Sequence, residues 1–202
     1  MSGHETEVKF FVRDLEPIEM RLRALKAHLI QTRTHETNLR FDNPNNDLRR
    51  NSRVLRLRQD EKARFTFKGP SEEMEGGVLG RQEIEFVVED FSNAKLFLEA
   101  LGFKPVVFYE KFRATYELNG IHIMLDELPY GKFVEIEGEQ VQELRRIADL
   151  LELKWENMVK AGYHALFDRA ARKYGLEPSR LSFEALSGVQ IDPRDMEIQP
   201  AD

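Results

Sequence analysis

The sequence predicts an α+β fold: an eight-stranded antiparallel β-barrel, open as a tunnel with a charged lumen, with helices packed outside and a C-terminal helical segment. Three observations predict it. Charged residues fall at every second position in Glu5-Thr6-Glu7-Val8-Lys9-Phe10, and the period returns in Arg56-Leu57-Arg58, Arg81-Gln82-Glu83-Ile84-Glu85-Phe86, Lys111-Phe112-Arg113 and Phe133-Val134-Glu135-Ile136-Glu137. Alternate side chains of a strand point to opposite faces, so each segment carries one apolar and one ionic face. Turn signals separate the segments, and carboxylates and cations share the ionic face in one after another.

Taken in order, strands are expected over 4–12, 36–42, 53–59, 63–69, 81–89, 106–118, 121–127 and 132–138. Asn43-Pro44-Asn45-Asn46-Asp47, Lys68-Gly69-Pro70, Asn119-Gly120 and Pro129-Tyr130-Gly131 mark turns, with Asn119-Gly120 the strongest hairpin signal. The glycine- and glutamate-rich stretch Ser71–Gly80 reads as a mobile loop. A helix is expected over 16–29, with Pro17 in its first turn and Ile18, Leu22, Leu25 and Leu29 on one stripe. Others are expected over 92–101, N-capped by Ser92, over 139–152, and over about 156–174 before Gly175. Residues 1–175 then form one domain and 176–202 an irregular C-terminal tail.

With 202 residues, 41% of them hydrophobic, the chain can bury a sizeable core; 33% charged is above the usual quarter. A net charge of −6 argues against a nucleic-acid binder, so any polyanion site must be a local concentration of Lys and Arg. There is no cysteine, which excludes disulfides and thiolate metal sites. No signal-peptide pattern and no apolar run near 18 residues is found, so a cytoplasmic protein without a membrane partner is expected.

The faces decide which way the barrel curls. The apolar set, including Val8, Phe10, Leu57, Phe65, Ile84, Phe86, Ile123, Val134 and Ile136, needs cover that the amphipathic helices can supply. The ionic set would line the lumen. Burying so many charges without metal, water or ligand would cost far more than a domain's net stability, so the lumen must be wet and functional.

The series Glu5-x-Glu7-x-Lys9, Arg56-x-Arg58, Lys68 in Thr66-Phe67-Lys68-Gly69-Pro70, Glu83-x-Glu85, Lys111-x-Arg113, Asp126 and Glu135-x-Glu137 resembles the CYTH superfamily, the triphosphate tunnel metalloenzymes. The resemblance covers about residues 4–138. It implies an eight-stranded tunnel and an activity among class IV adenylyl cyclases, thiamine triphosphatases and inorganic tripolyphosphatases. It also implies that the first-strand and last-strand carboxylate pairs converge.

The lining suits that chemistry. Arginine forks bind phosphate oxygens bidentately and lysines act as point charges, so Lys9, Arg56, Arg58, Lys68, Arg81, Lys111 and Arg113 form the expected triphosphate-binding set. Arg81 has a second reading, as partner of a neighbouring carboxylate. Glu5, Glu7, Asp126, Glu135 and Glu137 offer hard oxygen ligands, suited to Mg²⁺ or Mn²⁺ rather than zinc. Glu83 and Glu85 stand open between supporting the metal ligands, binding metal themselves and pairing with the arginines. Glu5, Glu7, Lys9 and Arg113 are the expected catalytic group. His122 shares a face with Asp126, but a structural role is favoured; Arg40 and Asp42 either border a nucleotide or close an ion pair. Trp155 and Tyr163 read as helix packing, and Glu72, Glu73 and Glu75 as a solvated loop.

The leading expectation is a metal-dependent hydrolase of tripolyphosphate or a related triphosphate, such as ATP or thiamine triphosphate. A class IV adenylyl cyclase is the runner-up, and a non-catalytic polyphosphate or nucleotide binder the third reading. A homodimer is an expectation only.

Overall fold

The computed structural model describes residues 2–74, 76 and 78–202, the side chains of residues 2–5 excepted. Glu75 therefore lies outside the described residues, as does the side chain of Glu5. The elements are β1 (Ser2–Val12), α1 (Glu16–Ala24), β2 (His28–Asp42), α2 (Asp47–Arg50), β3 (Val54–Gln59), β4 (Ala63–Lys68), β5 (Glu72–Glu73), β6 (Leu79–Val88), α3 (Phe91–Ala100), β7 (Lys104–Leu118), β8 (Ile121–Leu128), β9 (Gly131–Gly138), α4 (Val141–Leu150), α5 (Tyr163–Tyr174) and β10 (Arg180–Leu181). Short 3₁₀ turns at Trp155–Asn157 and Pro193–Met196 complete them.

The order β1-β9-β8-β7-β2-β3-β4-β6 closes on itself because β1 pairs antiparallel with both β9 and β6. The expected α+β architecture, an antiparallel ring of eight strands with helices outside, is what the chain adopts. β5 is a short addition to β6, and β10 lies parallel on β7. The ring is not an even barrel. β2 and β7 pair over most of their 15 residues each, and the ladder shifts register at Leu29/Gln31, Gln31/Thr34 and Arg40/Phe41. Such irregularities bend a strand and raise its twist.

One helix boundary departs from the sequence expectation. The stripe Ile18, Leu22, Leu25, Leu29 continues a helical period, yet α1 stops at Ala24, Lys26 turns to φ 60° and Leu29 pairs with Tyr116 in the sheet. Leu29 is exposed, so its place in the stripe reports no burial. A second departure is at the other end, where the helix expected from about 156 begins at Tyr163, and a third is the cap of α3, which is Asp90, accepting from the Asn93 N–H at 2.6 Å, and not Ser92.

Two cores hold the ring from opposite faces. Val8, Phe10, Ile123, Leu125, Val134 and Ile136 point outward and are covered by Ile18 and Leu22 of α1 and by Leu144, Ile147 and Ala148 of α4. Each such large side chain contributes about 1.5–3 kcal/mol when fully buried. Phe11, Phe133 and Leu128 belong to the inward faces, one step beyond Lys9, Glu135 and Asp126 along their strands. They pack against Leu166, Phe167 and Ala170 of α5. The lumen is thus charged along one stretch and apolar at one end, where α5 packs. A smaller core sets Ala94 and Leu98 of α3 over Phe41 and Leu57. Cover is incomplete here: Val88 of β6 packs against this core, but Phe86 remains 55% exposed and Ile84 37%. Residues 176–202 contain little regular structure but are packed, with Leu181, Leu186, Met196, Ile198 and Ala201 buried and Ala201 N–H donating to the Phe11 carbonyl at 2.9 Å.

Candidate functional site

The ring's registers bring the sequence-predicted residues to one cavity of about 540 Å³. Ten cationic side chains and five carboxylates line it among the described residues, in a chain whose net charge is −6. Lys9, Arg56, Arg58, Lys68, Arg81, Lys111, Arg113, Glu7, Glu83, Glu85, Glu135 and Glu137 all reach it. Asp126 stands behind the lining, fully buried. The backbone of Glu5 pairs with Arg81. His122 is exposed and outside the lining.

Next to the apolar end lies a dense ionic network. Arg113 straddles Asp126, donating from Nε to Oδ1 and from Nη2 to Oδ2, each at 2.6 Å. Lys111 and the Tyr163 hydroxyl donate to the same Oδ2 at 3.0 and 2.7 Å. A carboxylate offers about four lone-pair sites, and Asp126 already accepts four hydrogen bonds. Arg113 also reaches Glu135, which meets Lys9 at 2.5 Å. Burial alone would raise the Glu135 carboxyl, but Lys9, Arg113 and Lys111 hold it well below the usual carboxylate range. Burial works likewise against charge on Lys9, and Glu135 and Glu7 reverse it, so Lys9 stays protonated. The Tyr163 ring lies under both ammonium groups, 4.6 Å from Lys9 Nζ and 5.1 Å from Lys111 Nζ.

Along the opposite wall, β2, β3, β4 and β6 present a second tier. Arg56 donates to Thr66 Oγ1 and the Tyr109 hydroxyl, Arg58 pairs with Glu85 at 3.1 Å, and Lys68 with Glu83 at 2.7 Å. Burial pushes the Glu36 carboxyl up, and Lys111, Arg113, Arg58 and Arg56 bring it down to about 2. Asn38 donates to Glu36 at 2.9 Å. Glu83 and Glu85 both pair with cations of this wall.

Between the tiers Glu7 and Glu137 stand directly opposite on β1 and β9. Like charges in cross-strand register repel. Arg81 relieves Glu7 at 3.2 Å. The donors that remain around this position are oxygens of carboxylates, which suits a hard divalent cation. Among the described residues, no three His, Asp or Glu side chains converge tightly enough to form a closed metal cage.

A family model for the CYTH domain matches residues 3–163, four-fifths of the chain. The chain belongs to the CYTH family. Its fold is shared by a candidate adenylate cyclase of Vibrio parahaemolyticus, at a TM-score of 0.73 and 19% identity over 81% of this chain and 97% of that one. A Pyrococcus horikoshii protein aligns at 0.66 and 26% identity over 79% and 96%. A candidate adenylyl cyclase of Hippeastrum, described as having a dominant triphosphatase activity, aligns at 0.54 and 23% over 73% and 84%. A search of curated proteins returns no match. Among the described residues no helix is long and apolar enough to cross a membrane.

Sequence reasoning missed several site residues of this CYTH domain. Glu36 and Asn38, buried behind the lining, were legible by stepping back in twos from Arg40, and Tyr109, which lines the cavity, by the same step from Lys111. Tyr163 carried no such signal, since it opens a helix whose packing residues look alike, and the packing role expected of it is only half of what it does. Asp42, expected beside a nucleotide or in an ion pair, instead accepts backbone N–H groups of Asn43, Leu48 and Arg49 at 2.9, 3.0 and 2.9 Å.

Proposed function

We propose that the protein is a divalent-metal-dependent hydrolase of triphosphates, with inorganic tripolyphosphate the simplest substrate. The single observation that carries this reading is the closed ring of Lys and Arg already held in place by carboxylates. Arg113 and Lys111 are fixed by Asp126, Lys9 by Glu135, Arg58 by Glu85 and Lys68 by Glu83. Such fixed cations stabilise charge on a phosphoryl group without reorganising during reaction. Phosphate oxygens would replace Glu135, Glu83 and Glu85 on these cations, while Asp126, fully buried behind the lining and already accepting four hydrogen bonds, keeps Arg113 and Lys111 aimed. We therefore assign Asp126 to positioning and not to metal binding.

Glu7 and Glu137, joined by Glu5 from the same strand face as Glu7, would hold Mg²⁺ or Mn²⁺, with Glu135 shared between metal and cations. When bound, the metal neutralises phosphate oxygens and lowers the pKa of water. Lys9 and Arg113 then neutralise charge on the reacting phosphoryl group, and the phosphate–oxygen bond to the leaving chain breaks as water supplies the new oxygen.

Hydrolysis is favoured over cyclisation because the aromatic rings lining the cavity among the described residues are those of Tyr109 and Tyr163, beside the His164 imidazole. Tyr109 is hydrogen-bonded to Arg56, and the Tyr163 ring is under two ammonium groups, which leaves neither tyrosine as a platform for adenine. The test incubates the protein with Mg²⁺ or Mn²⁺ and, separately, tripolyphosphate, ATP and thiamine triphosphate. Orthophosphate from tripolyphosphate with no cyclic AMP from ATP is expected. Cyclic AMP and pyrophosphate from ATP would replace this reading by the cyclase, and binding without turnover under either metal would remove both enzyme readings.

A further inference from the structure

Most cations in the lumen have a carboxylate beside them; those at its mouth, where the exposed Arg49 and Arg53 line the cavity next to the start of α5, are less well matched. Arg40 is half-buried in the cavity wall, and no ion pair to it is found among the described residues. It faces Arg56 directly across the β2–β3 ladder, an arrangement of like charges that costs stability unless an anion lies between them. Burial lowers the Arg40 pKa, as do the neighbouring Arg49, Arg56 and Arg81, against the Tyr109 phenol. Arg53 also lines the cavity without an ion pair among the described residues, and Arg49 is held at 3.2 Å by Asp168 on α5. The segment that carries Arg49 and Arg53 is built, not loose. Asp42, 3% exposed, clamps the Leu48 and Arg49 N–H groups, and Arg53 N–H returns to the Leu48 carbonyl at 2.8 Å.

We propose that Arg40, Arg49 and Arg53 form a second phosphate subsite at the tunnel mouth, beyond the cradle of Lys9, Lys111 and Arg113. Its ligand is a phosphoryl oxyanion, for which guanidinium forks are the matched donors. That oxyanion has two sources: the continuing end of a chain longer than three phosphates, or a free orthophosphate or pyrophosphate bound beside the substrate. The proposal rests on the reading of the inner cradle as a triphosphate site, but its test separates the two. A tripolyphosphate held in that cradle leaves Arg40 and Arg53 without an anion, whereas a longer one reaches both.

Isothermal calorimetry on the intact chain under EDTA, so that no turnover intervenes, compares tripolyphosphate, a longer linear polyphosphate and pyrophosphate. The comparison is repeated on Arg40→Ala/Arg53→Ala and on Arg40→Lys, with circular dichroism and thermal melts to confirm folding. The chain source predicts that the longer polymer binds about tenfold or more tighter than tripolyphosphate. That preference disappears in the double alanine variant and is partly kept by Arg40→Lys, whose charge remains. The free source predicts no length preference but a second equivalent of pyrophosphate bound on top of saturating tripolyphosphate, lost in the same variant. Neither a length preference nor a second equivalent overturns the subsite, as does either one surviving unchanged in the folded double variant. If tripolyphosphate itself does not bind, the inner-cradle reading falls, and pyrophosphate binding that depends on Arg40 and Arg53 still reports on the mouth.

Discussion

The Tyr163 hydroxyl donates to Asp126 Oδ2 at 2.7 Å, tying the first residue of the last helix to a buried carboxylate on β8. A hydrogen bond to a charged group contributes about 1.5–3 kcal/mol. Tyr163→Phe keeps the ring under Lys9 and Lys111 and removes only this bond. Denaturant unfolding is expected to show a loss of about 2 kcal/mol, and kcat/KM on tripolyphosphate to fall about tenfold as Arg113 and Lys111 loosen. Tyr163→Ala is expected to lose more on both measures.

Glu7 and Glu137 face one another across the β1–β9 ladder, where a divalent cation would join them. Glu137→Gln is therefore expected to lose most of the rise in melting temperature that Mg²⁺ or Mn²⁺ gives the unaltered protein, because binding to the folded state alone is what stabilises it. A full metal-dependent rise in Glu137→Gln would move the metal elsewhere.

Glu36 is held at about 2 in the fold against an ordinary 4.5. Between those values the unfolded chain binds a proton that the folded chain does not. The stability that Glu36 contributes is thus fully present above the ordinary value and is lost as pH falls toward 2. Urea unfolding of the unaltered protein and of Glu36→Gln is expected to differ most near neutral pH, with the gap narrowing as pH drops through this window. A gap independent of pH would mean that Glu36 acts through shape and not through charge.

Arg113 joins Asp126 to Glu135, so its removal takes one cation from each of two buried carboxylates and leaves Lys111 on Asp126 and Lys9 on Glu135. Arg113→Ala is expected to cost about 3 kcal/mol, the low end of the usual penalty for breaking a buried pair. Asp126→Ala leaves Arg113 on Glu135 but takes the nearest partner of Lys111, at a similar cost. The double variant is expected to lose clearly less than the two losses added together, a coupling that a double-mutant cycle measures directly.

These relationships differ in how far they could be read in advance. Lys9, Arg56, Arg58, Lys111, Arg113, Glu135 and Glu137 announce themselves because a strand's period of two sorts its side chains without help from the rest of the fold. The pairing Glu7–Glu137 needs the ring's register, which depends on β1 meeting β9 across most of the chain. Tyr163 needs still more, since nothing in a helix start says what it will face. The end of α1 was hidden because Leu25 and Leu29 prolong a helical rhythm past Lys26, whose left-handed backbone has no sequence mark as strong as glycine. The tail was hidden too, since Met196, Ile198 and Ala201 are buried at spacings that fit neither period.

Ring closure by β1 has a consequence for recognition itself. Every strand around the lumen is bonded to a neighbour on both sides, so the main chain along the walls has largely spent its donors on other strands. A loop rich in glycine can hold phosphate with bare amides that any residue would supply; a closed ring has few to offer. Its grip on an anion must be written almost wholly in side chains, where selection can change one contact at a time without disturbing the frame that carries it.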